Sequence, residues 1–295
     1  VFAIFLFAPH IQFFPVGLGL KMLVASTIFT ALLFGLLLPI IGFYKIKKTL
    51  SILFFLLAMG FFINAHFTSN FSSERQKPNS LVYYQDADLG KSYWVTYDKV
   101  LDNWTKGYLG SAPEEASKYI EHTSVSKYSS GYTFANNAPK KDIPLFEVVL
   151  ERDTIINGNR NVSFTIFPKR NVNQISVYAN DEVVFNSLEF NGQTMPLTNV
   201  PRKIKTKELV RYYVSDNDSL QVNYSVSKDT PITFAVLEYS YDLLDNVQFS
   251  MNKRPEYTMP KPFVVTDAVA VKKIIDVNLL QIKLIDSIIV TQGTK

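Results

Sequence analysis

The first 66 residues of this 295-residue chain contain no Asp or Glu. They carry four basic residues, Lys21, Lys45, Lys47 and Lys48, which leaves 26 of the 30 Lys and Arg residues to balance all 26 Asp and Glu residues in the remainder. The remainder is therefore formally neutral, and the net charge of +4 belongs to the apolar beginning of the chain. Because nucleic-acid binding requires a basic surface, we expect no nucleic-acid partner.

Three stretches of the first 66 residues are apolar and carry no formal charge: residues 1–20, 22–44 and 49–65. A helix that crosses a bilayer needs about 20 apolar residues. We therefore predict two transmembrane helices, over 22–44 and 49–65. The first stretch contains Pro9 and Pro15, which predicts the end of another helix running into a loop. The beginning of the chain is thus a membrane segment whose partner is the lipid bilayer.

A cleavable signal peptide is the competing interpretation of the first stretch. Signal peptides have a basic start and a small-residue cleavage site. Residues 1–20 show neither of these features, nor an initiating Met. We therefore expect the chain to be a fragment of a longer, multi-pass membrane protein.

The orientation of the membrane segment follows from YKIKK, residues 44–48, where three lysines lie between two apolar stretches. Lysines in short loops are retained on the cytoplasmic side of a membrane. We therefore expect loop 45–48 to be cytoplasmic, and the chain after about His66 to be extracytoplasmic, in the periplasm or at the cell surface. Lys21 favours the opposite orientation but is outweighed. The lack of Cys fits a bacterial envelope domain without disulfides.

The part after the membrane segment begins with a polar linker, residues 67–80, and continues with an aromatic hairpin and short helices over 81–143. The hairpin is predicted because DADLGK joins two stretches rich in Val, Tyr and Trp. The helices are predicted over 98–110, where apolar residues recur at helical spacing, and over 113–121, which begins with Pro and two Glu.

Residues 144–295 show a period of two. In SLQVNYSV, residues 219–226, and NVSFTIF, residues 161–167, apolar and polar side chains alternate, which indicates strands with one buried face. Asn-Gly and Asp-Asn-Asp turn signals separate such segments. The predicted fold class is therefore an α-helical membrane segment followed by a mainly β extracytoplasmic domain, an antiparallel β-sandwich with short helices at its start.

The pair Asp86-Ala87-Asp88 is the first candidate for chemistry. A calcium loop of the EF-hand kind starting at Asp86 would place Glu at its twelfth position, where the chain has Tyr97. A D-x-D motif that holds a metal-bound nucleotide sugar needs a surrounding α/β region, and the flanking residues indicate a hairpin instead. The turn preferences of Asp and Gly therefore favour a turn.

The remaining candidates for metal or catalytic chemistry are dispersed. The three histidines, His10, His66 and His122, have no metal-ligand spacing. Glu114-Glu115 resembles the adjacent Glu pair of some di-zinc peptidases, but without neighbouring His and Asp ligands a solvated helix start is favoured. No catalytic, cofactor-binding or metal-binding residue is assigned in this chain.

Two segments of the neutral part resemble a known family. NSLVYYQDADLGKSYWVTYDKVLDNWTKGYL, residues 79–109, resembles the segment after the last membrane helices of bacterial membrane-bound zinc aminopeptidases of clan MH, relatives of the ER metallopeptidase Fxna. RPEYTMPKPFVVTDAVAVKK, residues 254–273, is similar to their C-terminal signature, a Met-Pro run followed by Thr-Asp-Ala. The tail 274–295 extends beyond where such relatives are expected to stop.

The resemblance implies an N-terminal α/β exopeptidase domain with two zinc ions, held by His, Asp and Glu in an H-x-D, D, E-E, D or E, H order. None of these ligands can be placed on this sequence. The chain is then expected to be the non-catalytic anchor and β domain of a zinc-dependent membrane exopeptidase, with zinc in the missing N-terminal domain. The implied partners are the peptidase domain of the same protein and the peptide substrates of the parent.

Two other functions remain open from the residues alone. A stand-alone membrane-anchored envelope module, adhesin-like or sugar-binding, would use Trp94, Trp104 and the tyrosines as its binding surface, although buried aromatic side chains are the commoner case. A glycosyltransferase segment that uses Asp86 and Asp88 ranks below both other hypotheses.

Overall fold

The computed structural model describes residues 2–19, 23–123, 131–180, 183–196 and 207–281. The chain divides into two compact units, Val1–Asn70 and Phe71–Lys295. Residues 282–295, which belong to the range predicted as a β-sandwich, lie outside the described part of the chain. The gaps between the described ranges lie outside it as well.

The first unit contains three apolar helices: α1 (Phe2–Leu18), α2 (Leu23–Ile41) and α3 (Lys47–Thr68). Of these, α2 and α3 have the length and apolar composition needed to cross a bilayer. They coincide with the second and third apolar stretches of the sequence. The loop between them carries Lys45 and leads directly into Lys47 and Lys48 at the start of α3.

The prolines do not break the helix in the first stretch, since α1 continues through both Pro9 and Pro15 and ends at Leu18. A proline in a helix removes one N–H, so the carbonyl four residues earlier loses its partner. For Pro15 this carbonyl is that of Ile11, and the Ser26 hydroxyl of α2 donates to it at 2.9 Å. The neighbouring helix thus satisfies the carbonyl that Pro15 leaves unpaired.

The second unit is mostly β structure. Its strands are β1 (Lys77–Asn79), β2 (Val82–Asp86), β3 (Lys91–Thr96), β4 (Glu114–Glu115), β5 (Phe134–Asn137), β6 (Glu147–Ile156), β7 (Asn159–Phe167), β8 (Gln174–Ala179), β9 (Ser187–Phe190), β10 (Gln193–Thr194), β11 (Lys207–Tyr213), β12 (Leu220–Ser227), β13 (Thr233–Ser240), β14 (Thr258–Pro260) and β15 (Ala268–Asp276). Among the described residues, one short α-helix, α4 (Asn103–Leu109), and two 3-10 turns, Ala116–Lys118 and Val277–Leu279, interrupt them.

These strands form two large sheets and one small one. The five-stranded sheet has the order β10-β9-β12-β7-β6 and is antiparallel throughout. The eight-stranded sheet has the order β11-β8-β13-β15-β2-β3-β5-β4, and β1 pairs with β14 separately. The expectation of purely antiparallel strands is wrong at two places, because β2 pairs in parallel with β15 and β1 in parallel with β14. Both parallel pairs join strands from opposite ends of the unit, which no hairpin connects.

The short helices are predicted correctly at one of two places. The helix expected over 98–110 is present as Asn103–Leu109. The helix expected over 113–121 is wrong, since Glu114–Glu115 form a strand and only Ala116–Lys118 form a 3-10 turn. The two Glu residues pair with β5, so sheet pairing overrides the local helix signals.

Three apolar clusters stabilise the second unit. The inter-sheet core lies between the two large sheets, where Phe164 of β7 packs against Phe234 of β13 with 5.5 Å between ring centroids. The tyrosine face lies on one side of the eight-stranded sheet and includes Tyr84, Tyr178 and Tyr239. The tryptophan cluster contains the side chains Leu81, Tyr83, Trp94, Trp104, Leu109, Ile143, Leu243, Phe249, Val269 and Val271.

Strands from the two predicted ranges, 81–143 and 144–295, share one sheet and one compact unit.

Candidate functional site

The two segments that carry the family resemblance, 79–109 and 254–273, lie side by side in the structure. The parallel pairs β1–β14 and β2–β15 join them through the backbone. Buried and half-buried polar side chains from both segments then meet at one place, which we call the polar junction. Its members are Asn79, Ser80, Asp98, Asp102, Arg254, Lys261 and Asp267.

Arg254 is at the centre of the first half of the polar junction. Its guanidinium donates to the side-chain oxygen of Asn79 and to a carboxylate oxygen of Asp267. It also lies over the ring of Trp104, 4.8 Å from the centroid. The amide nitrogen of Asn79 in turn donates to Asp102 Oδ2 at 2.8 Å. One arginine therefore links both segments and the aromatic ring of α4.

Asp98 is the acceptor of the second half of the polar junction. Its Oδ1 accepts a hydrogen bond from Lys261 Nζ at 3.1 Å, and its Oδ2 accepts one from the backbone N–H of Ser80 at 2.8 Å. Lys261 Nζ also donates to the carbonyl of Tyr97 at 2.9 Å. The lysine thereby fixes the loop after β3 against the loop after β14.

The electrostatics of the polar junction favour a structural role. Burial raises the pKa of Asp267, and the Arg254 guanidinium opposes this effect. Burial would raise the pKa of Asp102 as well, but hydrogen bonds from Thr105 and Asn79 bring it below its usual value. Each carboxylate of the junction accepts hydrogen bonds within it, so these groups join two distant segments and stabilise the fold.

The structure places Asp86 at the end of β2, directly before the turn that the sequence favours. Residues 87–90 form the turn between β2 and β3, and Asp86 Oδ1 accepts the backbone N–H groups of Asp88 at 3.1 Å and Leu89 at 2.9 Å. Its other oxygen accepts a hydrogen bond from Lys272 Nζ at 2.9 Å. Both oxygens of this buried carboxylate therefore stabilise the turn and its attachment to β15.

Asp88 completes the same arrangement. Its Oδ2 accepts the backbone N–H of Ile274 at 2.8 Å, at the end of β15. Gly90 closes the turn at a φ of 66°, in the left-handed region that glycine adopts without strain. The two aspartates thus bind backbone groups of the hairpin and of the adjacent strand.

Replacing Asp86 by alanine is expected to lower the free energy of unfolding by about 1–3 kcal/mol, because two turn N–H groups and Lys272 lose their acceptor. Asp86→Asn keeps a side-chain oxygen for the turn and should cost less. Urea unfolding of the full chain, with and without added Ca²⁺, checks both variants. A calcium-dependent stabilisation of the parent that Asp86→Asn abolishes would contradict a purely structural turn.

The other acidic and histidine candidates are not brought together. Glu114 is exposed and forms an ion pair with Lys118 at 2.9 Å. His10 lies in α1, His66 at the end of α3, and the ring of His122 packs on that of Tyr178. Within the described ranges, no three His, Cys, Asp or Glu side chains converge to hold a metal ion. The described residues therefore do not fit a zinc ion. The two zinc ions that the resemblance implies belong to a preceding domain.

The two tryptophans are buried rather than arranged along an open groove. Trp94 and Trp104 each have 8% of their surface exposed. Trp94 lies opposite Tyr83 in the hairpin, with 5.4 Å between ring centroids, and Phe249 covers it from another segment. Both rings therefore belong to the tryptophan cluster of the core.

Sequence reasoning missed the polar junction and one buried ion pair. Arg254, Asp98 and Asp267 lie within the two resembling segments, but local patterns do not show which partners they have. The pair Arg170–Glu238 had a detectable signal. Glu238 follows Phe234 and Val236 at intervals of two, so the alternation places a carboxyl group on an apolar strand face.

The structure thus brings the seven named polar residues of the two resembling segments together in one junction. No model of a known protein family matches the chain, and no curated protein matches it.

Proposed function

We propose that this chain is the non-catalytic membrane-anchor and β-domain portion of a bacterial zinc-dependent membrane exopeptidase. The observation that supports the proposal is the polar junction. Arg254 and Asn79 lie 175 residues apart in the sequence, in different resembling segments, and their side chains contact each other. The two resembling segments would then occur in the same protein because their residues stabilise the same part of the β domain.

The membrane segment supplies the anchor in this proposal. α2 and α3 would cross the bilayer as part of a multi-pass segment, with loop 45–48 on the cytoplasmic side. The β unit, folded as a sandwich, would then lie in the periplasm or at the cell surface. The length of both helices, together with Lys45 between them and Lys47 and Lys48 at the start of α3, supports this arrangement.

Peptide-bond hydrolysis belongs to a preceding peptidase domain in this proposal. Zinc would supply a Lewis acid and an activated water there. The residues of this chain would anchor the enzyme and present the β unit to the peptidase domain on the same side of the membrane. Its partners are then the bilayer, that peptidase domain and, through it, the peptide substrates.

The coding DNA upstream of Val1 provides the first test. An in-frame sequence that encodes H-x-D, spaced Asp, Glu-Glu and His ligands supports the proposal, and the full-length protein should then lose aminopeptidase activity when zinc is chelated. A start codon directly upstream without such ligands would overturn the proposal.

The orientation can be measured by cysteine labelling, because the parent chain contains no Cys. We expect Lys228→Cys, in an exposed turn of the β unit, to react with a membrane-impermeant maleimide in intact spheroplasts. Lys47→Cys should react only after the membrane is permeabilised. The reverse pattern would contradict the proposed orientation, and labelling of both positions in intact spheroplasts would place loop 45–48 outside.

A stand-alone envelope binding module is the second candidate, and one observation favours it. Tyr213 and Tyr241, which are 66% and 46% exposed, both neighbour Gln174 on the eight-stranded sheet. Exposed aromatic rings present apolar faces that are suited to stacking on sugars. A glycan-binding screen of the full chain tests this candidate, with Tyr241→Ala as the variant expected to lose any binding. Absence of binding, or binding that the variant retains, would contradict this surface.

A further inference from the structure

Glu238 is a fully buried acidic residue in the middle of the eight-stranded sheet. It lies on β13, and its neighbours in the adjoining strands are Ile175 of β8 and Val271 of β15. Ile175 belongs to the inter-sheet core and Val271 to the tryptophan cluster. The carboxyl group of Glu238 therefore lies where these two apolar clusters meet.

Neither carboxyl oxygen of Glu238 has a hydrogen-bond partner in the described part of the chain. The nearest cation is Arg170, whose Nε lies 3.9 Å from Oε2. This is an ion-pair distance without a hydrogen bond. A buried carboxylate that accepts no hydrogen bond is strongly disfavoured relative to its protonated form.

Two guanidinium nitrogens of Arg170, Nη1 and Nη2, have acceptors other than the carboxyl group of Glu238, whereas its Nε has no hydrogen-bond partner among the described residues. Its guanidinium donates to the hydroxyl of Ser240, to the backbone carbonyl of Glu238 at 3.2 Å and to that of Val269 at 3.5 Å. These acceptors remain when the Glu238 carboxyl group gains a proton. Protonation therefore relieves the buried negative charge and leaves Nη1 and Nη2 of Arg170 with their acceptors.

Three charged groups act on this site from the surrounding elements. Arg170 reaches it from the loop between β7 and β8, and Lys273 from β15. Asp242, just after β13, acts on Arg170, and its Oδ1 is a further buried oxygen without a hydrogen-bond partner among the described residues. The two cations favour ionisation of Glu238, and the burial of its carboxyl group opposes it.

We infer that Glu238 is a proton-binding site that couples the packing between the inter-sheet core and the tryptophan cluster to external pH. With the proton bound, the two clusters meet around a neutral side chain. When the proton leaves, a negative charge that accepts no hydrogen bond remains between them, and the β unit becomes less stable. A β unit outside the cytoplasm would be exposed to such pH changes.

The direction of the pH effect follows from the pKa of Glu238. Burial raises it to about 7, and Arg170 and Lys273 limit the rise. Between the unfolded value of 4.5 and about 7, the folded chain keeps a proton that the unfolded chain has lost. Unfolding then releases a proton, so stability falls as the pH rises through this window.

Urea unfolding of the full chain in detergent at about pH 5.5 and about pH 8.5 tests the inference. Both tryptophans of the chain, Trp94 and Trp104, lie in the tryptophan cluster, so their fluorescence reports on it. The folding equilibrium constant of the parent should fall roughly 30-fold more between the two pH values than that of Glu238→Gln. Glu115→Gln, at an exposed position, is the matched control and should behave as the parent does.

A second variant keeps the test decisive if Glu238→Gln does not fold. Lys273→Gln removes a cation that favours the ionised carboxyl group, so the pH at which stability falls should move upward. Infrared spectroscopy should show a protonated carboxylic acid near neutral pH in the parent, which Glu238→Gln lacks. The same pH profile in the parent and in Glu238→Gln would overturn the inference. If Lys273→Gln folds but Glu238→Gln does not, the same pH profile of stability in Lys273→Gln and in the parent would overturn the inference.

Discussion

Replacing Arg254 by methionine is expected to lower the free energy of unfolding by about 3 kcal/mol, the lower end of the cost of removing one partner from a buried ion pair, because Arg254 and Asp267 are largely rather than fully buried. The change leaves Asp267 without its cation and Asn79, which is fully buried, without a donor for its side-chain oxygen. It also removes the cation that lies over Trp104. Methionine preserves most of the side-chain volume, so lost packing contributes little. Urea unfolding followed by tryptophan fluorescence measures the effect.

The pH dependence of the Arg254→Met variant shows whether the unpaired carboxylate of Asp267 causes the loss of stability. Without the guanidinium, the pKa of Asp267 rises further above its unfolded value, so the folded variant binds a proton more readily than the unfolded chain does. The deficit relative to the parent should therefore shrink as the pH falls. The double variant Arg254→Met/Asp267→Asn should recover part of the loss at neutral pH. Arg152→Met, at an exposed position of β6, is the control and should remain within about 0.5 kcal/mol of the parent.

The apolar helices could be predicted from the sequence because the signal is local. A run of uncharged, apolar residues has few alternatives to a long helix. The continuation of α1 past Pro15 could not be predicted in the same way. It depends on the hydroxyl of Ser26 in a different helix, which replaces the hydrogen bond that proline removes.

Some features of the strands could likewise be predicted from local sequence patterns, and others could not. The hairpin around Asp86 and the strand that contains Val222 follow from turn residues and from alternation with a period of two. The parallel pairing of β2 with β15 joins Val82 to Ala268, and no local pattern encodes so distant a contact. The predicted helix at Glu114 fails for a related reason, since pairing with β5 decides its conformation.

The candidate site was partly visible in the sequence. The two resembling segments were identified by their residue order, and the turn role of Asp86 followed from Asp and Gly preferences. The contacts of Arg254 were not visible, because a side-chain pairing over 175 residues depends on the complete sheet topology. The burial of Trp94 was indicated only by the general frequency of buried aromatic residues.

Replacing Trp94 by alanine is expected to lower the free energy of unfolding by about 3–5 kcal/mol, the range found when a large aromatic side chain is removed from a core. The ring packs at 5.4 Å from Tyr83, 5.1 Å from Tyr108 and 6.1 Å from Phe249, measured between centroids. These neighbours come from β2, α4 and the segment after β13, so the cavity would lie where three parts of the unit meet. Far-UV circular dichroism during urea unfolding measures the loss independently of the removed fluorophore.

The size of this effect also tests whether Trp94 belongs to the core or to a ligand-binding surface. A Trp94 that formed part of a ligand-binding surface could be removed with loss of binding and little loss of stability, since exposed substitutions usually change the free energy of unfolding by about 0.5 kcal/mol or less. Tyr213→Ala, whose parent side chain is 66% exposed, should show that small change and is the matched control. Equal stability of Trp94→Ala and Tyr213→Ala would mean that Trp94 does not belong to the core. A large loss confined to Trp94→Ala assigns this ring to the packing between the aromatic hairpin and the rest of the β unit.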